Sequence, residues 1–254
     1  MTLVNEPSVL IEGGAFAGLR RNGYGAMYAD PAWRFEVWNG ATAVKARNSA
    51  STYTSAAVHY QTMSYDELAA LPISELAADD SALFLWICWP MLPQAMSLIE
   101  TWGFVYKTCA FAWMKAHAGQ IEMFRDDLDT SMGMGYWTRA NSEVCLLATR
   151  GKPKRLNADV RQGIIAPRRE HSRKPDGIHE RIERLVTGPY LELFARQRRT
   201  GWDCWGNETD KFAVPPPGAA EAAGGLPAAA GADARNTAPV ASVPAFLTQP
   251  EILK

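Results

Sequence analysis

The chain is short of the residues that staple small proteins or bind metals. It has four cysteines and four histidines in 254 residues, with no Cys-x-x-Cys pair. Cys88, Cys109, Cys145 and Cys204 are scattered, and three of them lie in apolar runs, where a free thiol is usually a small core residue. A disulfide framework and a structural zinc site are therefore excluded as expectations, and a reducing cytoplasm is the default location. No apolar stretch reaches the 18 or so residues of a membrane span, so no membrane partner is expected. The first residues show no basic segment followed by an apolar one, which argues against a secretory signal.

What is present is apolar and aromatic. Hydrophobic residues make up 47% of the chain and nine are Trp, ample for one globular core. The net charge of −1 hides an asymmetry. Between Arg150 and Thr200 there are 14 Lys and Arg against 6 Asp and Glu. Such a segment suits phosphate neutralisation; it equally fits a solvated helix face with pairs such as Glu180 with Arg184.

Strands and helices alternate in the pattern. Residues 1–22 have little periodicity and read as a loosely ordered lead-in. Apolar runs predict strands at Gly25–Ala29, Ala82–Trp89, Val105–Lys115, Ser142–Thr149 and Tyr190–Ala195. Ser64 with Glu67 forms a capping-box pattern at the start of a helix. Further helices are expected over Pro90–Trp102, closed by Gly103, and over Pro175–Val186. Phe35–Val58 has no period and reads as a mobile loop beside a site. From residue 213 Pro, Ala and Gly dominate, which predicts a disordered tail. The expected domain is residues 23–212, an α/β fold with a mostly parallel sheet flanked by helices.

The chemistry centres on Asp30-Pro31-Ala32-Trp33, at the end of the first strand. These four residues closely resemble the Asp-Pro-Pro-Trp signature of enzymes that methylate the exocyclic amine of adenine, a poor nucleophile because its lone pair is delocalised into the ring. Two acceptors for its hydrogens would localise that pair, and the Asp30 carboxylate and the Pro31 carbonyl are of the right kind. Trp33 supplies a flat face for an extruded base. The same four residues also fit an ordinary turn followed by a core Trp.

Other segments decide between these. The chain resembles the MT-A family of adenine methyltransferases, which includes the catalytic subunit of the eukaryotic messenger-RNA adenosine methyltransferase. The likeness runs from the signature through Leu83-Phe84-Leu85-Trp86, Trp113-Met114-Lys115, Gly135-Tyr136-Trp137 and Asn141-Ser142-Glu143. It continues through His171-Ser172-Arg173-Lys174-Pro175-Asp176, Glu192-Leu193-Phe194-Ala195-Arg196 and Trp205-Gly206-Asn207-Glu208. Order and spacing agree over roughly residues 25–208, and the wording is most like bacterial and phage members.

The resemblance implies a Rossmann-like class I methyltransferase fold in permuted order. It implies S-adenosyl-L-methionine as methyl donor, DNA as the favoured substrate over RNA, base flipping, and a homo- or heterodimer. By position, Asp30, Pro31, Ala32 and Trp33 form the catalytic signature. Glu143, Tyr136, Trp137 and Lys174 would face the substrate. Asp30, Lys174, Glu192, Phe194, Arg196, Asn207 and Glu208 would line the cofactor cleft.

From the residues alone, Lys174 also fits a solvated helix flank, Glu143 a surface pair with Arg139, Tyr136 and Trp137 core aromatics, and Asn207 a cap. His171 is assigned no catalysis, since methyl transfer from a sulfonium needs no strong base before attack. Ala32 stands where the family has a second Pro. It predicts slower turnover, or, in a competing reading, a weak or inactive nucleic-acid-binding subunit.

Overall fold

Tyr24–Ala29 is buried on nearly every residue, which fits a strand covered on both faces. It forms β1 of a computed structural model that describes residues 9–34, 62–116, 137–138, 140–169, 173–209 and 211. Six more strands follow: β2 (Ala77–Ile87), β3 (Val105–Ala116), β4 (Ser142–Arg150), β5 (Gly163–Pro167), β6 (Tyr190–Leu193) and β7 (Trp202–Trp205). Three helices lie between them: α1 (Tyr65–Ala69), α2 (Leu92–Thr101) and α3 (Ile178–Leu185).

The sheet order is β5-β3-β4-β2-β1-β6-β7. Every pairing is parallel except those of β4, which runs antiparallel to both β2 and β3. The fold is therefore α/β with a mostly parallel seven-stranded sheet, as expected of a class I methyltransferase. Six strands end, and β4 begins, along one edge of the sheet. The chain moves to opposite sides of β1 when it builds β2 and β6, so the switch point where α/β folds bind ligands falls at the C-terminal end of β1.

Period-two alternation feeds two cores. Met27, Leu83, Leu85 and Leu191 face α1, α2 and the N-terminal segment. Tyr28, Phe84, Trp86 and Trp113 face α3 through Ile178 and Ile182. The capping box of α1 is complete: Ser64 Oγ accepts from the Glu67 amide and the Glu67 carboxylate accepts from the Ser64 amide. Gly103, at φ +82°, follows α2 in the left-handed conformation that ends a helix.

Several expectations need correction. Residues 9–22 are not a loose lead-in: Leu10 and Arg20 pair as an antiparallel bridge, and Ile11, Phe16 and Leu19 are buried. Their spacing follows neither strand nor helix period because a turn carries them. β2 starts at Ala77, ahead of the apolar run, because β1 and β4 supply its partners there. The expected helix from Pro90 divides into a tight 3₁₀ turn, Trp89–Met91, and α2. The helix expected from Pro175 begins at Ile178. Strands β5 and β7 were not foreseen. Arg184 pairs with Asp159 at 2.7 Å in place of Glu180.

The chain divides into units at Ala213 and Val214. The loop 35–58, Tyr136, His171 and the expected tail lie outside the described residues. Among the described residues no helix is long and apolar enough to cross a membrane, and no His, Cys, Asp and Glu cluster is arranged to hold a metal ion.

Candidate active site

Asp30 is the first residue past β1, so the strand aims its carboxylate at the switch point. Lys174, on the segment leading into α3, donates to both of its oxygens, at 2.7 and 2.8 Å. The same ammonium reaches Glu143 Oε2 at 3.2 Å. Lys115, near the end of β3, donates to Glu143 Oε1 at 2.5 Å. Glu143 is the second residue of β4 and lies opposite Trp113 of β3, which brings it to the same edge. Three strand ends and one loop thus assemble two carboxylates and two ammonium groups that are separated by 144 residues in the chain at the widest.

The electrostatics are those of a closed ion cluster. The Lys174 side chain is only 10% exposed. Burial alone would disfavour its charge, but the neighbouring carboxylates of Asp30 and Glu143 outweigh it and hold the ammonium well above its ordinary range. Burial pushes the Glu143 carboxyl up, and Lys174 and Lys115 more than reverse that, leaving it below its ordinary value. The Lys174 ammonium also stands 5.3 Å from the centre of the Trp86 ring. Arg196 lies 3.9 Å from Asp30 Oδ2.

Asp30 joins two cavities. A cleft of about 540 Å³ opens beside it, walled by Ala32, Met63 and Phe194 and floored by Trp205, Asn207 and Glu208. That volume suits a ligand of a few hundred daltons. A smaller cavity of about 70 Å³ holds Lys174, Glu192 and His179. Asp30, Phe194 and Arg196 line both. Glu192 and Lys174, both expected to line a cofactor cleft, line the smaller cavity. There His179 Nε2 lies 2.7 Å from Glu192 Oε2.

The cleft is shaped by backbone as much as by side chains. Phe194 has φ +61°, uncommon for a non-glycine residue, and this bend turns the chain out of β6 over the cleft. Gly206 sits directly against the Ala195 backbone, where a Cβ would collide with its carbonyl oxygen and amide nitrogen. Trp205 is fixed by donating Nε1–H to the Ala15 carbonyl at 2.6 Å and by edge contacts with Phe16 and Phe194. The N-terminal segment therefore supports the cleft floor.

The signature turn is well defined. The Trp33 amide donates to the Pro31 carbonyl at 2.9 Å, which closes a three-residue turn centred on Ala32. The Ala32 carbonyl accepts from Met63, and the Arg34 amide donates to the Met63 carbonyl, so residues 32–34 run alongside 62–64. Trp33 does not offer a face to a base. It is 5% exposed and donates its indole N–H to the Trp86 carbonyl at 3.0 Å, which makes it a core residue of the turn. Trp137 is fully exposed and so is no core aromatic. Glu143 is paired with Lys115 and Lys174, and Lys174 is no solvated flank; Arg139, the partner weighed for Glu143, lies outside the described residues.

Two features of this site were not anticipated. Lys115 was visible in the sequence only as part of Trp113-Met114-Lys115, and its signal was its place at a strand end. Tyr28 is buried beneath the smaller cavity and accepts the Trp86 indole N–H at 2.9 Å. Its apolar surroundings made it indistinguishable from any strand residue.

Residues 24–208 match the MT-A70 family. The chain belongs to the MT-A70 family. Among its relatives is the Type II methyltransferase M.MunI from Mycoplasma sp, 32% identical over 214 residues, covering 80% of this chain and 86% of the relative. The N(6)-adenosine-methyltransferase MT-A70-like protein of Drosophila melanogaster is 33% identical over 158 residues, 59% of this chain and 24% of that protein. The human N(6)-adenosine-methyltransferase catalytic subunit METTL3 is 32% identical over 158 residues, 59% of this chain and 25% of METTL3. This MT-A70 chain thus spans nearly all of the bacterial relative but about a quarter of the animal ones.

Proposed function

We propose that this MT-A70 chain transfers a methyl group from S-adenosyl-L-methionine to the 6-amino group of an adenine in DNA. The single observation that carries the reading is the Asp30 carboxylate, pinned at the junction of the two cavities by Lys174. A carboxylate has about four lone-pair sites, so Asp30 keeps acceptor capacity for an amine hydrogen beyond its bonds to Lys174. The Pro31 carbonyl accepts one bond from Trp33 and has a second lone pair for the other hydrogen.

The cleft fits the methyl donor. Asn207, Glu208 and Arg196 offer polar contacts for its ribose and amino-acid end, and Trp205, Met63 and Leu71 offer apolar wall. When bound there, the donor supplies a sulfonium methyl that is displaced directly. The protein's part is to orient the amine through Asp30 and Pro31, to hold Asp30 through Lys174, and to accept the hydrogens that localise the nitrogen lone pair. DNA is favoured because the relative spanned at 86% of its length is a Type II methyltransferase; the N(6)-adenosine relatives are matched over a quarter.

Incubation with labelled S-adenosyl-L-methionine and adenine-containing DNA tests this directly. Label should enter DNA with the wild-type chain and fall by at least two orders of magnitude with Asp30→Ala. Label that enters RNA and not DNA would move the substrate class. No label in either, with stoichiometric cofactor binding absent by calorimetry, would favour the inactive-subunit reading that Ala32 raises.

A further inference from the structure

Trp33 is buried and does not offer the aromatic face expected of it for an extruded base. Another indole stands at the same edge. Trp89 follows the C-terminal end of β2 and is 51% exposed, although its neighbours Ile87 and Met91 are buried. In the β2–β4 register Ile87 lies opposite Val144, which carries Cys88 and Trp89 toward Glu143 and Ser142. The Trp89 indole N–H donates to Ser142 Oγ at 3.2 Å, one residue from Glu143. The Cys88 thiol, whose pKa burial raises to about 11, also senses the charges of Glu143, Lys174 and Asp30, which puts this turn next to the ion cluster.

The side chain is held out rather than left loose. Pro90 follows it, the Met91 amide donates to the Cys88 carbonyl at 2.9 Å, and Met91 anchors the turn in the core. A rigid aromatic with its polar atom bonded and half its surface exposed loses little entropy on binding. Burying an indole offers far more apolar contact than folding has used here, so exposure at this position has a cost that a stacking partner removes.

We infer that Trp89 is the stacking platform on which the target adenine lies as its amine reaches Asp30, a role that rests on the nucleic-acid reading above. Stacking on an indole tolerates any base and adds affinity without hydrogen-bond readout, so Trp89 contributes to holding the extruded base while Asp30 and Pro31 select the amine.

The test uses the full chain and an oligonucleotide duplex of the methylated sequence, with a second duplex carrying 2-aminopurine in place of the target adenine. Trp89→Ala should raise the DNA KM by about five- to a hundredfold, the range of one base–aromatic stack. Its kcat should change less, and cofactor affinity and melting temperature should stay at wild-type values. Trp89→Phe should keep the KM within a few-fold, since it retains an aromatic face. Bound 2-aminopurine should emit more strongly with Trp89→Ala than with wild type, because the quenching indole is gone. An unchanged KM and unchanged emission would overturn the inference, as would a loss that tracks cofactor affinity or melting temperature. If the wild type transfers no methyl, the functional reading fails by itself. Direct binding of the 2-aminopurine oligonucleotide then decides Trp89: equal affinity and emission for wild type and Trp89→Ala refute it, and weakened binding with brighter emission supports it.

Discussion

Lys174 is bonded to two carboxylates, Asp30 just past β1 and Glu143 of β4, and its removal takes from Asp30 its closest cation and leaves Glu143 to Lys115 alone. Breaking a buried pair by deleting one partner is strongly destabilising, because the charge left behind is uncompensated. Lys174→Met should therefore cost about 3 kcal/mol in urea unfolding and reduce methyl transfer by orders of magnitude. The pH dependence has a definite sign. A lysine held above its ordinary value of 10.5 contributes stability that is complete below that value and fades as pH rises through the raised one. A carboxyl held below its ordinary 4.5, as Glu143 is, contributes stability that is complete above that value and fades as pH falls through the lowered one. Wild-type stability from this cluster should be flat between, and Lys174→Met should lose the alkaline limb and flatten the acid one. Identical pH profiles for the two proteins would show that the cluster stores no stability.

Ala32 is the other residue on which the proposed activity turns. Its φ is not positive, and the Trp33 amide to Pro31 carbonyl bond closes an inverse turn around it, whose central φ is close to the value proline fixes. Among the described residues the Ala32 amide has no hydrogen-bond partner that a proline would remove. Ala32→Pro should therefore be tolerated, stabilising by about 0.5 kcal/mol through the unfolded chain. It should also raise the methyl-transfer rate by restricting Pro31, whose carbonyl is the proposed second amine acceptor. A rate unchanged or lowered, with the stability gain present, would show that the aim of that carbonyl does not limit turnover.

At the level of elements, the cleft depends on how closely β7's exit passes the end of β6. Gly206 rests against the Ala195 backbone, and a methyl there meets main-chain atoms that have no rotamer to yield. Gly206→Ala should force the two strand ends apart, costing about 1–3 kcal/mol as overpacking does and weakening cofactor binding roughly tenfold by calorimetry, the equivalent of about 1.4 kcal/mol. Unaltered cofactor affinity would mean that the ligand does not use this junction. Pattern reading could not reach this point: β7 is four residues long, it lies at the sheet edge, and its Trp-Asp-Cys-Trp carries no alternation that a core imposes. β5 hid for the same reason, as a five-residue edge strand beginning on Gly and ending on Pro. By contrast β2, buried on its last seven residues, and the capped start of α1 were plain, because a central strand and a helix N-terminus each write a local rule into the chain.

For the whole molecule, the parallel edge explains why so much of the site was legible as a resemblance and so little from composition. Asp30, Lys174, Glu143 and Arg196 come together only because β1, β4, β6 and the α3 approach meet at one sheet edge, a contact order no local pattern encodes. Trp33 shows the reverse failure: expected to face a base, it is turned into the core, where its indole N–H donates to the Trp86 carbonyl, a long-range bond that no local pattern announces. Charge is also distributed on this scale. Residues 150–169 hold seven Lys and Arg against one Asp. Arg150 and Arg169 are committed within the fold. Lys152, Lys154, Arg155, Arg161 and Arg168 are exposed and have no carboxylate partner among the described residues. Of these, Arg168 directly follows β5 at the edge that carries Asp30 and Glu143. If this face takes DNA phosphates, each cation engaged releases a counterion, and the logarithm of affinity falls with the logarithm of salt by about 0.9 per contact. Replacing Arg161 and Arg168 together with Gln should then lower the slope by about 2, weaken binding alike for target and non-target sequences, and leave cofactor affinity untouched. A double variant with the wild-type slope would make this charge a solvated surface and leave DNA to be held by the site edge alone.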